Sequence, residues 1–150
     1  MAKTMIVFYS WSDRTKELAN KIKKLLPNAD LLELRVPAGT FTQDMQETSE
    51  IAKTQLKEGN LPGFSKFLPD FSSYDNLLVG GPVWSFQPST PILHFLDTLK
   101  DYQGTVAPFY TSVGQNGDYE AIFKARNPKL RVVAGNDNGK NLTAWVEQFK

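Results

Sequence analysis

The sequence predicts an α/β protein, a parallel sheet with helices on both faces. Three observations predict it. Five apolar runs of strand length alternate with stretches of helical apolar spacing. The first run, Met5-Ile6-Val7-Phe8-Tyr9, is unbroken, as suits a strand covered on both faces. The segments after the first, third and fourth runs are rich in hydroxyl, glycine or aromatic residues. In a parallel sheet these segments share the carboxyl edge, where ligands bind.

The elements follow in order. Lys3 to Tyr9 is the first strand, and a helix is expected from Arg14 to Leu26, with Leu18, Ala19, Ile22, Leu25 and Leu26 on one side and Pro27-Asn28 as its stop. Asp30 to Val36 alternates apolar and charged residues, the pattern of an edge strand. Pro37 to Thr42 is turn-rich. Asp44 to Lys57 is expected to be helical, with a thin stripe of Met45, Ile51, Ala52 and Leu56, and Gly59 to Ser73 irregular. Tyr74 to Gly80 is the third strand, broken by Gly80-Gly81-Pro82. Thr90 or Pro91 opens a helix, since proline suits a first turn. Thr105 to Tyr110 is the fourth strand, Tyr119 to Arg126 a short helix, and Leu130 to Ala134 the fifth strand. Leu142, Trp145, Val146 and Phe149 have the spacing of a closing helix.

Composition bounds the function. The 150 residues suit one domain, spanning 1–150, and 41% apolar with 22% charged residues is a globular composition. A formal charge of +1 without runs of like charge argues against nucleic acid as a partner. With no cysteine, disulfides, thiolate metal sites and cysteine nucleophiles are excluded. Met1-Ala2-Lys3-Thr4 leads directly into a strand, so no signal peptide is expected, and no apolar run has membrane-spanning length. The expected location is cytoplasmic. His94, the single histidine, is expected on a helix face, Asp97 and Asp101 on a solvated one, and no metal-ligand cluster or serine elbow is visible.

The chemistry concentrates in the three loops. Ser10, Ser12, Arg14 and Thr15 cluster where the first strand hands over to a helix. Free N–H groups and the positive end of the helix dipole make such a place an anion site. The bland reading is a helix cap supplied by Ser12 or Asp13. Trp84 lies just beyond a strand end, where it either stacks on a ligand ring or covers the sheet. Thr111-Ser112-Val113-Gly114 offers hydroxyls and N–H groups, or is an ordinary loop with a Gly117-Asp118 turn.

At these residues the chain resembles the flavodoxin-like FMN-binding proteins. Tyr9-Ser10-Trp11-Ser12-Asp13-Arg14-Thr15-Lys16 is similar to their phosphate loop, usually Ser-x-Thr/Ser-Gly-Asn-Thr. Tyr74 to Trp84 is similar to their third strand and aromatic loop, and Pro108 to Gly114 to the segment flanking the other side of the flavin. The resemblance implies a short-chain, three-layer sandwich of five parallel strands in the order 2-1-3-4-5, with little room for an insertion splitting the fifth. It also implies noncovalent FMN held by Ser10, Trp11, Ser12, Asp13, Arg14 and Thr15 at the phosphate. Pro82, Val83, Trp84, Ser85 and Phe86 would lie on one side of the ring, with Trp84 ahead of Phe86 as the stacking group. Thr111, Ser112, Val113, Gly114, Gly117 and Asp118 would lie on the other, with Tyr119 covering the ring. The family's Gly-Asn pair is Asp13-Arg14 here, and the near-neutral charge differs from the acidic surface of classical small flavodoxins.

The expected function is electron transfer or NAD(P)H-dependent reduction through FMN, with either a redox protein or NAD(P)H and a small acceptor as partner. The alternative is a binding module on the same scaffold that has weakened or lost FMN.

Overall fold

The computed structural model describes residues 2–114 and 116–150; Met1, and Gln115 within the third loop, lie outside the described residues. The strands are β1 (Thr4–Phe8), β2 (Asp30–Glu33), β3 (Asn76–Trp84), β4 (Gln87–Pro88), β5 (Thr105–Thr111), β6 (Arg131–Val132) and β7 (Asn136–Asp137). The helices are α1 (Arg14–Leu25), α2 (Met45–Glu58), α3 (Thr90–Thr98), α4 (Tyr119–Arg126) and α5 (Leu142–Val146), the last continued by a 3-10 turn over Glu147–Phe149. The sheet runs β2-β1-β3-β5-β6, with β7 also beside β5 and β4 folded back antiparallel on β3. This is the expected 2-1-3-4-5 order, with the fifth position divided between β6 and β7.

Alternation along β1 divides the core. Ile6 and Phe8 face α1 and α5, in a cluster with Leu18, Ile22, Leu78, Phe109, Val146 and Phe149. Met5, Val7 and Tyr9 face the opposite layer, with Val79, Ile92, Phe95, Leu96, Tyr110 and Phe123. Both faces of the central strands are thus buried, which is why their sequence reads as continuous apolar runs. β2 is the edge strand its alternation predicts, but it ends at Glu33, short of Val36. α2 is capped by Asp44, whose Oδ1 accepts from the N–H of Gln46 at 2.8 Å, and closed by Gly59 at φ 66°. Its stripe is thinner than expected: Ala52 is buried while Met45 is exposed. His94 sits on its helix face, its ring stacked on Phe64 at 4.9 Å. Asp97 receives the Arg126 guanidinium fork across α3 and α4, at 2.7 and 2.8 Å, rather than lying free on a solvated face.

Two expectations about strands are corrected. Gly80-Gly81-Pro82 does not break β3, which continues to Trp84 with Gly81 and Pro82 paired to Tyr110 and Thr111. The Gly80 carbonyl points towards β1, accepting from the Tyr9 N–H at 2.9 Å. Pro82, two residues on, faces the same side, where β1 has ended, so its missing N–H costs no ladder bond. The fifth strand is also interrupted. Val106 pairs with Val132 and Phe109 with Asn136, so Ala107 and Pro108 face the longer run Val133-Ala134-Gly135. The Val106 carbonyl faces β6, so Pro108 turns its donorless nitrogen to the same side, and the ladder bulges there. A Cβ on Gly135 would lie 2.6 Å from the Pro108 carbonyl oxygen, so only glycine fits the bulge.

Burial raises the pKa of the Tyr9, Tyr102 and Tyr119 phenols, Tyr102 to about 12. It does the same at Tyr110, where a hydrogen bond to Glu120 adds to the effect. These phenols stay neutral in the folded chain at a pH where the unfolded chain ionises them. The stability they contribute is complete below pH 10 and lost as pH rises through 10 towards 12 and above. The expected result is a denaturant midpoint flat between roughly pH 8 and 9.5 and falling steeply above about 10. A midpoint still flat near about pH 11 would contradict it.

Candidate functional site

The first loop is built by a turn that glycine would ordinarily make. After Phe8 the chain leaves the sheet, and Asp13 adopts φ 65°, ψ −5°, so that α1 starts at Arg14. Neither Ser12 nor Asp13 caps the helix; Ser10 does, its Oγ accepting from the Lys16 N–H at 3.2 Å. Among the described residues, the backbone N–H groups of Trp11, Ser12, Asp13, Arg14 and Thr15 make no hydrogen bond. They form a row of donors at the positive end of α1, beside the Ser10 and Ser12 hydroxyls. Such a row suits an anion. Asp13 and Arg14 side chains are exposed at its rim.

The third loop is fastened to the first. The buried hydroxyls of Thr15 and Thr111 meet at 2.8 Å, joining the start of α1 to the end of β5. Arg14 Nη2 donates to the Ser112 carbonyl at 3.0 Å. Asn138 accepts from the Ser112 N–H at 2.8 Å and donates to Ser112 Oγ at 3.1 Å. That hydroxyl also meets Asn116 Oδ1. Asn138 was not among the expected site residues. Asn138 and Gly139 hold φ 56° and 82° in a run, Asn136-Asp137-Asn138-Gly139, of turn-forming residues, but the contact with Ser112 is not readable locally. Beside it, burial pushes the Asp137 carboxyl up, but hydrogen bonds from Asn116, Asn138 and Lys140 outweigh it and hold the carboxyl below its usual value. Val113 is 95% exposed, and the open face around Gly114 would hold a Cβ without contact.

The second loop is a tight hairpin. Trp84 pairs with Gln87, leaving Ser85 and Phe86 as a two-residue turn with φ 51° and 67°, the mirror-image turn that matches strand twist. Two L-residues hold left-handed backbone here, strain of the kind that persists at binding sites. Ser85 Oγ meets Ser49 Oγ of α2 at 2.9 Å. Phe86 is 58% exposed, and Gly117 packs so closely on its Cβ and backbone that a Cβ on Gly117 would collide with them. The second and third loops therefore meet at Gly117. Pro82 and Val83 are half-buried behind the turn, and Asp118 is exposed at the start of α4.

The aromatics expected at the ring have different surroundings. Trp84 is only 3% exposed, set edge-on against Phe41 at 5.0 Å and Tyr9 at 5.9 Å. Phe86, two residues on, is exposed instead. Tyr119 does not lie over the site either. It is 1% exposed, stacked between Tyr110 at 4.3 Å and Phe123 at 6.3 Å. Both rings support the sheet end from beneath.

Trp11 leans away from the N–H row, its Nε1 donating to the Thr42 carbonyl at 2.9 Å. Between the first loop and residues 33–43 opens a cleft of about 690 Å³, lined in part by Ser10, Trp11, Ser12, Arg35 and Gln43. The turn-rich connection 37–42 also supplies Phe41, which walls Trp84. Among the described residues no group of side chains could hold a metal ion, and no helix is long and apolar enough to cross a membrane.

The comparisons with known proteins agree with this fold. A flavoprotein from Lactobacillus acidophilus NCFM, solved in complex with FMN, is 38% identical with a TM-score of 0.88, over 97% of this chain and 99% of that one. The apo-form of the flavoprotein from the same organism, solved by NMR, is 39% identical with a TM-score of 0.73, over 95% and 97%. A flavodoxin from the domain Archaea, at 12% identity and a TM-score of 0.56 over 95% and 92%, shares the fold. No curated protein matches. The family model for flavodoxin matches residues 3–149, and the chain belongs to the flavodoxin family.

Proposed function

We propose that this protein binds FMN noncovalently across its three loops and moves electrons through it. The carrying observation is the row of N–H groups from Trp11 to Thr15, at the start of α1, that make no hydrogen bond among the described residues. The residues fit the group. The N–H row, the Ser10 and Ser12 hydroxyls and Arg14 are a donor set for a phosphate dianion. Phe86 offers an exposed aromatic side chain, and the exposed stretch Val113-Gly114 carries N–H groups that make no hydrogen bond among the described residues, suited to the polar edge of a flavin. The similarity to a flavoprotein solved with FMN supports the same ligand.

Bound FMN supplies the redox chemistry. The chain's residues hold and orient it. The N–H row fixes the phosphate, and the Thr15–Thr111 pair holds the row at a set distance from the loop that meets the ring. Phe86 shields one face of the ring from water. Trp84, with Tyr9 and Phe41, forms the apolar floor behind the hairpin. A formal charge of +1 offers little long-range steering of a charged redox protein, so the electron source we propose is NAD(P)H with a small acceptor, ahead of a carrier role.

Titration with FMN, followed by visible absorption and by tryptophan fluorescence, tests the binding. The expected result is a saturable shift of the flavin spectrum with quenched fluorescence. A protein that ignores FMN at about 1 mM would contradict it and leave a binding module without flavin. With FMN bound, oxidation of NADH or NADPH in the presence of a quinone marks a reductase. No oxidation, with electron exchange to a redox protein, marks a carrier.

A further inference from the structure

We propose that Arg14 is a positioning residue, a strap through which the phosphate loop sets the loop that meets the flavin ring. The proposal rests on the FMN reading above and adds a role for one side chain within it. Arg14 Nη2 donates to the Ser112 carbonyl at 3.0 Å, across 98 residues of sequence. Directly behind, the buried Thr15–Thr111 hydroxyl pair fixes the first turn of α1 against the end of β5. Up to Thr111 the chain is therefore held by the sheet and by that pair.

Beyond Thr111 the support thins. Val113 is 95% exposed, and Gly114 has open space where a side chain would be. Among the described residues, the holds on Ser112 from outside its own loop are Asn138, at its N–H and hydroxyl, and Arg14, at its carbonyl. The guanidinium is a planar fork with several donors, so one N–H on a carbonyl leaves others for a second oxygen acceptor. Arg14 also opens α1, so its side chain springs from the N–H row itself. An anion on that row and the Ser112 carbonyl are thus joined by one rigid group. Phosphate binding and the shape of the ring-contacting loop become one event.

The test separates a strap from a simple phosphate ligand by using riboflavin, which lacks the phosphate. A ligand to phosphate alone leaves riboflavin affinity untouched when it is removed; a strap on Ser112 does not. In Arg14→Ala we expect riboflavin binding to weaken roughly fivefold to tenfold, and FMN binding by more. Arg14→Lys keeps the charge but not the fork, and is expected to recover part of the FMN loss and little of the riboflavin loss. In the free protein, backbone 15N order parameters of Ser112 and Val113 should fall in Arg14→Ala. Unchanged riboflavin affinity with weakened FMN affinity would overturn the strap, as would unchanged order parameters. If the wild-type protein bound neither flavin, the cofactor reading would fail, and the order parameters of the free protein would still decide the strap.

Discussion

Trp84→Ala is expected to destabilise the protein by about 3–5 kcal/mol, whereas Phe86→Ala leaves stability within about 0.5 kcal/mol. The two rings lie two residues apart and have opposite surroundings. Trp84 is 3% exposed between Tyr9 and Phe41, so truncation opens a cavity in the floor of the site. Phe86 is 58% exposed on a hairpin tip, and truncation there empties no core. The ligand effects run the other way. Phe86→Ala removes an aromatic contact of about 1 kcal/mol and should weaken FMN roughly five- to tenfold in an otherwise intact protein. Trp84→Phe keeps most of the packing and removes an indole N–H that has no partner among the described residues, so it should cost less than about 1.5 kcal/mol. Urea denaturation and FMN titration of the three variants check the set. A Trp84→Ala protein of unchanged stability that no longer binds FMN would mean that the tryptophan meets the ring after all.

Asp13→Gly is expected to improve both folding and binding. Asp13 holds φ 65° without a compensating side-chain hydrogen bond. Left-handed backbone costs an L-residue about 1–2 kcal/mol, and glycine gives back about 0.5–1 kcal/mol through its freer unfolded chain. The net is a gain of roughly 0.5–1 kcal/mol. The substitution also removes a carboxylate from the rim of the N–H row. Repulsion of about 1 kcal/mol between exposed like charges corresponds to roughly fivefold tighter FMN, an advantage that should shrink as salt is raised. Riboflavin affinity should change little, because the repelled charge is on the phosphate. Equal gains for FMN and riboflavin would show that backbone relief, not charge, is responsible. A loss of stability would show that Asp13 makes a contact glycine cannot.

What the sequence made legible was what neighbouring residues decide. The two-faced burial of β1, β3 and β5 is written in their continuous apolar runs, and α4 begins and ends where its spacing places it. The misreadings came from partners distant in sequence. Whether Gly80-Gly81-Pro82 breaks a strand depends on β1 having ended beside it. Whether the fifth strand is continuous depends on Pro108 in the strand next door. At the site, the convergence of the three loops on one edge of the sheet was legible, and so was the Asp13-Arg14 departure. The opposite exposure of Trp84 and Phe86 was not, because it turns on left-handed backbone at Ser85 and Phe86, residues that do not advertise it as glycine would. Asn138 and Phe41 were missed for the same reason as the strand pairings: each acts on a loop far from it in the chain.

The most direct test of the account is the backbone amide NMR spectrum of the protein titrated with FMN and, separately, with riboflavin. The account predicts that FMN moves the Trp11 to Thr15 N–H signals strongly downfield, as donors to a dianion move, while riboflavin shifts chiefly signals around Phe86 and from Ser112 to Gly114. Identical shifts from the two ligands, with the 11–15 amides unmoved by FMN, would contradict the phosphate cradle on which the rest depends.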